Sequence, residues 1–503
     1  MTIVNQKKYG AFLGYVYTGL QSVISVVYIP ILLNGIGKSE YGLYQIVGSV
    51  ISYFAAMESP LCASILKYYV EYKVNKDEVN MENVLAIGRR IFFALSLIMV
   101  LLAIPSFFLM NVAFADKFTS AELLETQLMF VLMIVNLLIG MNSYVYVAVI
   151  NANERFVFLK LTALISLILQ PIAVVLLISR FKYAFVIVVI QLVLNVFLTI
   201  IRLYYAKKIL NCSIVYHGKD KALIKGMLAL SLATFFVAIA DQIFWRTDQL
   251  ILGSMCGPDI VAEYSIGAQF NTMYITVACV LGGLLLPVVT KLVVQGDNKA
   301  ISDYFAKIGR YQSYIVALML FGVIAFGREF VLIIAGEGFE ISYSVALLLM
   351  VPYAIDLIQT SGGAILTAKN MFGYRAKVLF IAAVINIFLT IAFVKLFGVV
   401  GAALATTVSI ILSSGFVMNY IYKVKLNLNL SHFFKEVVPI WVLGVLSLPI
   451  AFFIINRIVF SNMYMQFVVH CLLFVLVYGL LMFVVMNKEE KQLVLSKLVK
   501  NKQ

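Results

Sequence analysis

Charged residues make up only 12% of the 503-residue chain, which also has five cysteines, nine prolines, two tryptophans and three histidines. Each shortage excludes something. The cysteines (Cys62, Cys212, Cys256, Cys279 and Cys471) are scattered and form no CxxC pair, so neither a disulfide framework nor a zinc site is expected. His217, His432 and His470 lie far apart with no ligand spacing, and the first two fall in loops, where solvation is the plain expectation. No metal and no cofactor are expected. Long polar segments are also missing. The longest stretches between apolar runs, near 70–90 and 206–226, are too short for a soluble catalytic domain. The stretch "NGIGKSE" contains Gly37-Lys38-Ser39, but a phosphate-binding loop needs glycine five residues before Gly37, where Leu32 stands. The chain therefore reads as neither an ATPase nor a hydrolase.

What the chain has in excess is apolar length. It is 63% hydrophobic with a mean hydropathy of +1.01, whereas a soluble domain is nearer half apolar and a quarter charged. Runs of ~20 apolar residues cross a bilayer, and fourteen such runs can be placed. They lie near 11–34, 41–66, 91–111, 127–150, 157–179, 183–205 and 227–253, then 263–290, 311–327, 343–366, 376–396, 398–422, 436–456 and 464–486. Continuous runs, without alternation, imply helices and not a β-barrel. The polar "NANER" at 151–155 then reads as a short loop where the chain leaves the membrane and returns. "MTIVNQKKYG" leads straight into the first run, which is too long for a signal h-region and reads as a retained helix. Paired tyrosines at run ends (Tyr41 and Tyr44, Tyr204 and Tyr205, Tyr420 and Tyr422) fit interfacial anchoring.

The net charge of +14 invites a nucleic-acid reading, but its distribution excludes one. With both termini in the cytoplasm, thirty of the 38 Lys and Arg fall inside. Seven fall outside (Lys38, Lys117, Arg180, Lys182, Arg328, Lys395 and Arg457), and Arg246 lies within a run. That is the positive-inside bias of a multi-pass membrane protein, and such a surface also attracts anionic membrane lipid. A transporter driven by gradients, or by its substrate's own concentration, is the class that remains.

The chain also repeats itself. "GKSEYGLYQI" (37–46) aligns with "GPDIVAEYSI" (257–266), matching Gly37 with Gly257, Tyr44 with Tyr264 and Ile46 with Ile266 at an offset of 220. "ANERFVF" (152–158) aligns with "AKNMFGY" (368–374), matching Ala152 with Ala368 and Phe156 with Phe372 at an offset of 216. Six runs separate the copies. An even number keeps both in one orientation, so the repeat is parallel, with a cleft between two lobes. The expected organisation is an N-lobe at 1–210, a C-lobe at 211–430, and two additional helices with a cytoplasmic tail at 431–503.

These loop sequences carry a family resemblance. "GIGKSEYGLY", "NANERFVFLKL", "FWRTDQLILG" (244–253) and "FGVVGAALAT" (397–406) resemble turns and span entries of the multidrug/oligosaccharidyl-lipid/polysaccharide exporter superfamily, most of all its Wzx-type polysaccharide flippases. The resemblance covers essentially the whole chain. It implies an all-α polytopic fold of about 14 transmembrane helices, two six-helix lobes plus two. It further implies a bacterial cytoplasmic-membrane protein that moves undecaprenyl-diphosphate-linked oligosaccharide from the inner to the outer leaflet by alternating access. Polysaccharide-assembly membrane proteins would be its partners. A cation-coupled drug antiporter of the same superfamily is the alternative. A membrane enzyme such as a glycan polymerase would want a large outer loop, and none is present.

Ionisable groups at membrane depth are costly and face a cavity or a partner. Here they are Glu58, Asp241, Arg246, Asp248 and Asp356. Asp241 and Asp356 fall near the midplane, about 20 Å along their helices. Glu58 is nearer the cytoplasm, and Asp248, nearest the outer interface, is expected to be solvated. Asp241 and Asp248 share a helix face, while Arg246 is turned roughly 140° from Asp241. A diphosphate needs donors and positive charge, and the planar guanidinium fork of Arg246 suits it. Arg246 can equally pair with a carboxylate and lock two helices. Asp241, Asp356, Glu58 and Asp248 are the candidates for carrying H+ or Na+. Glu58, beside Pro60, can instead satisfy backbone groups freed by the proline. Gln21, Gln269 and Asn271 are candidates for sugar hydroxyls, with Asp241 beside them. Lys7, Lys8, Lys67 and Lys291, at inner helix ends, can gather a diphosphate head group at entry.

Overall fold

The computed structural model describes residues 3–279 and 285–492 and is helical throughout, with no strand among them. Eleven stretches of the described residues are long and apolar enough to cross a membrane. One of these, Phe372–Val424, takes in two of the expected spans. The chain divides into two compact units, residues 1–262 and 263–503.

The first unit holds α1 (Ile3–Ile36), α2 (Lys38–Ala55), α3 (Glu58–Val74), α4 (Glu78–Phe114), α5 (Ser120–Ala152), α6 (Phe156–Ile178), α7 (Phe185–Tyr204) and α8 (Lys221–Cys256). It also takes the start of α9 (Pro258–Ala278). Within it α5 packs on α7, α4 and α3, α1 on α6, and α8 on α2 and α3. The second unit holds the rest of α9, then α10 (Leu285–Gln295), α11 (Asn298–Ala335), α12 (Glu340–Ile358), α13 (Thr360–Ala368), α14 (Phe372–Ile410), α15 (Met418–Val424), α16 (Leu430–Arg457) and α17 (Met463–Val485). There α11 packs on α16, α12 and α17, and α12 on α14. A wide π-helical turn, Ile411–Val417, joins α14 to α15.

The few polar residues are spent where helices begin and end. Backbone groups at a helix terminus lack intrahelical partners and must find them elsewhere. Asp77, Asp220, Asp297 and Asn429 each accept from a backbone N–H one turn into the following helix. Thr119 and Glu122 form a reciprocal capping box at the start of α5. "NANER" does the converse. Asn153 and Glu154 end α5, with Glu154 in the left-handed region (φ 54°), and Lys73 of α3 donates to the Ala152 carbonyl (2.9 Å) and to Asn153 Oδ1 (2.8 Å). A cation on the last carbonyls of a helix offsets its negative end.

The repeat reaches backbone conformation. Gly37 (φ 88°, ψ 175°) and Gly257 (φ 95°, ψ 175°) match at an offset of 220, and so do the positive-φ residues Lys76 and Gly296. Glu154 and Asn370, then Asn211 and Asn427, match at 216, all with φ near +55°. The second copy therefore loses four residues between the two sets. The loss falls in one helix. The 33 residues of α5 (120–152) correspond to 340–368, where the chain breaks at Gln359 into α12 and α13.

Glycines show what the backbone and the packing demand. Gly398 (φ 57°, ψ −134°) interrupts α14 between the expected spans 376–396 and 398–422. A Cβ on nearby Gly401 would stand 2.1 Å from the Phe393 carbonyl oxygen. On α2, a Cβ on Gly42 would lie 2.0 Å from the Pro258 carbonyl oxygen, whereas one on Gly48 meets nothing within 4 Å. Backbone cannot give way as a side-chain tip can. Gly42→Ala is therefore expected to cost about 1–3 kcal/mol, read as a lower thermal midpoint in detergent, and Gly48→Ala to cost nothing measurable. Equal midpoints for the two variants would contradict this packing.

Candidate functional site

Apart from its start, α8 is apolar over most of its length, then carries four consecutive polar residues, Arg246 to Gln249. Those that turn toward α2 are held. Tyr53 OH and Thr247 Oγ1 lie 2.6 Å apart, and Ser49 Oγ donates to Gln249 Oε1. Asp248 is 2% exposed, and Tyr53 is in electrostatic contact with both Asp248 and Arg246. Unpaired polar groups are costly away from water, so this row fixes the rotation of α8 against α2. The expected solvation of Asp248 is corrected: α2 covers it, however near the outer interface its sequence position lies. Asp241, seven residues earlier on the same face, is exposed. Arg246 is partly buried and forms none of the ion pairs found among the described residues.

A second polar cluster lies deeper in the first unit. The helix expected at 41–66 breaks after Ala55, and α3 restarts at Glu58. Pro60 sits in the first turn of α3, where its missing N–H costs no hydrogen bond. Tyr144 of α5 hydrogen-bonds to Glu58 and is in electrostatic contact with Arg202 of α7. Arg202 has its Nε buried without a hydrogen-bond partner among the described residues. Close by, Asn195 of α7 donates to Asn136 Oδ1 of α5 (2.7 Å).

The second unit places an ion pair at the matching level. Asp356 minus the offset of 220 is Asn136. Asp356 accepts from Arg375 (3.1 Å) and from Ser414 of the π-helical turn (3.1 Å). Gln359, at the break between α12 and α13, donates to Asn419 (2.9 Å). Where the first copy pairs two amides, the second pairs a carboxylate with a guanidinium.

The other candidates are dispersed. Gln21 of α1 is exposed; Lys8 and Lys67 are exposed in the first unit, and Lys291 in the second. The side chain of Lys7 lies outside the described residues. Gln269 is partly buried, and Asn271 is buried with its Oδ1 lacking a partner among the described residues. Arg246 has company that the sequence did not single out: Arg310 is buried, and Arg202 and Arg375 are partly buried. Each lies at the end of an apolar run, where sequence alone reads a loop charge. His217 and His432 keep the solvent exposure expected of them, and each also contacts an acid: His217 contacts Glu82 (2.6 Å) and His432 contacts Asp303 (3.5 Å). Among the described residues no group of three or more His, Cys, Asp or Glu is placed to hold a metal ion.

A multi-pass helical chain with buried charge and polar rows inside its helices defines a polytopic membrane protein. Residues 9–293 match the sequence profile of the family described as polysaccharide biosynthesis protein, and the chain belongs to that family. It is similar to the probable low-salt glycan biosynthesis flippase Agl15 of Haloferax volcanii, with 23% identity over 172 residues. That match covers 34% of this chain and 36% of the relative. The fold is that of the lipid II flippase MurJ in its inward closed conformation: 14% identity, 95% of this chain and 98% of that chain covered, TM-score 0.74. It is shared, at 11% identity and a TM-score of 0.67, with an inward-facing multidrug resistance MATE transporter of the MOP superfamily, over 85% of this chain and 99% of that one. The family and fold are those that the loop motifs resemble.

Proposed function

We propose that this protein is a flippase carrying polyprenyl-diphosphate-linked oligosaccharide from the inner to the outer leaflet of a bacterial cytoplasmic membrane, with both termini inside, and that it is not an enzyme. The observation that carries the reading is Arg246, a guanidinium in the apolar run at 227–253, without an ion-pair partner among the described residues and beside a hydrogen-bonded polar row. A desolvated cation that forms no ion pair among the described residues suits a phosphate on the substrate. Asp241 and the amides Gln21, Gln269 and Asn271 face the sugars in this scheme, and Lys7, Lys8, Lys67 and Lys291 gather the head group at entry. The two repeat copies, 1–210 and 211–430, supply the halves that alternate, with 431–503 as an addition. Glu58, Asp241, Asp248 and Asp356 are the groups through which H+ or Na+ couples to the cycle. Asp356 already holds Arg375, so exchange there requires that pair to open.

The buried carboxylates Glu58 and Asp248 give the second reading, a cation-coupled antiporter of small molecules, its footing. Cells depleted of the protein separate the two. An impermeant lectin or glycosidase reports lipid-linked glycan in the outer leaflet. Accumulation of the intermediate, hidden from the probe, is the expected result. Delivery at the normal rate in a strain with no second flippase overturns the proposal and favours the antiporter.

A further inference from the structure

The start of α8 carries a feature that none of these roles uses. Lys219, Lys221 and Lys225 line a groove of about 400 Å³ with Ile224, Leu228 and Leu232. From Lys221 onward these side chains recur at helical spacing along one face. The opposite face is committed to α3. Leu223 and Met227 are buried, Ser64 donates to the Met227 carbonyl (3.2 Å), and a Cβ on Gly226 would meet Tyr68 OH at 2.3 Å. The groove face has no such cover, with Leu228 at 38% and Leu232 at 52% exposure. None of the three lysines forms an ion pair among the described residues. The nearest acid in sequence, Asp220, is committed to the Leu223 N–H as the helix cap (3.0 Å).

The geometry points to a binding site for an anionic phospholipid, its phosphate on the lysines and one acyl chain along Ile224, Leu228 and Leu232. Lys221 to Leu232 spans roughly 16 Å, close to half of a ~30 Å hydrocarbon core and so to one acyl chain. Lysines at the mouth of an apolar groove match a lipid phosphate in charge and in depth. Beyond the lysines, the lining offers only Ile, Leu and Ala, with nothing to hydrogen-bond a glycan. That favours a bilayer phospholipid over a sugar-bearing carrier, and the site stands whether or not the chain is a flippase.

The full chain, purified in detergent, is titrated with phosphatidylglycerol or phosphatidylcholine, and lipid retention is read by native mass spectrometry. The wild type is expected to prefer phosphatidylglycerol by on the order of a hundredfold, less at high salt. The K219Q/K221Q/K225Q variant is expected to lose that preference. K207Q/K208Q, neutralised elsewhere, is expected to keep it, and K219R/K221R/K225R, which preserves charge, guards against a folding artefact. Equal retention of the two lipids, or a preference unchanged in the glutamine variant, overturns the site. Displacement of phosphatidylglycerol by equimolar polyprenyl diphosphate also overturns it, because the groove would then serve the carrier.

Discussion

Arg246→Ala is expected to abolish delivery of lipid-linked glycan to the outer leaflet while the protein still inserts at wild-type amounts. Thr247 and Gln249 are tied to α2, and Asp248 is covered, so the α2–α8 interface survives loss of the arginine. The guanidinium is in no ion pair among the described residues, which leaves it able to meet an anion. Two charge-assisted hydrogen bonds to a diphosphate, about 1.5–3 kcal/mol each, would slow transfer roughly a hundredfold or more when lost. Arg246→Lys keeps the charge but not the planar fork and is expected to recover only part of the rate. The measurement is the surface-accessible fraction of lipid-linked glycan after a pulse of labelled sugar, beside the amount of protein in the membrane. Wild-type delivery by the alanine variant would remove Arg246 from the substrate path.

The largest effect on stability is expected at Arg310. Its side chain is buried in α11 and joins three further segments. Nε donates to Glu490 Oε1 (2.8 Å), Nη1 to Glu436 Oε2 (3.2 Å) and Nη2 to the Val485 carbonyl (2.7 Å), while Tyr314 OH donates to Glu490 Oε2 (3.2 Å). The guanidinium thus fastens α16, the end of α17 and the residues after it to α11. Arg310→Ala strands the buried Glu490 carboxylate. Breaking such a pair costs about 3–5 kcal/mol, enough to lower the thermal midpoint by on the order of 10 °C in a unit of this size. Arg310→Lys cannot make the same set of bonds and is expected to rescue little.

The same clamp has a pH dependence. Burial pushes the Glu490 carboxyl up, but Arg310 and the Asn487 N–H outweigh it and hold the group below the usual carboxylate range. A folded-state value below the unfolded one stabilises at pH above about 4.3. That contribution is lost as the pH falls through the folded value. The Arg310 variant should therefore lose the acid sensitivity that the wild type gains from Glu490. A midpoint within ~1 °C of wild type for Arg310→Ala would show that the network adds no net stability.

Sequence by itself determined the membrane class, the helical character and the repeat. Runs of ~20 apolar residues admit few structures in lipid, and the polar residues between them act locally, as helix caps and stops. Local chemistry is legible in order along a chain. Hence "NANER" reads correctly as a turn, and Gly37 and Gly257, matched by letters alone, share one backbone conformation. The offsets of 220 and 216 were equally open to reading, but only the structure puts the missing four residues at the break beside Gln359.

Partnerships needed the tertiary structure. Asp356 reads as a lone carboxylate until α14 brings Arg375, nineteen positions on, to within 3.1 Å. Asp248 reads as solvated until α2, some two hundred residues earlier, covers it. Arg202 and Arg310 stand at run ends and read as loop charges until neighbouring helices enclose them. Hydrophobicity along a chain places a residue in depth, because depth follows the helix axis. Which side of the helix meets another helix, and whether a charge is paired there, depends on packing between segments distant in sequence. That packing pairs Arg310 and Arg375 with acids and leaves Arg246 in none of the ion pairs among the described residues.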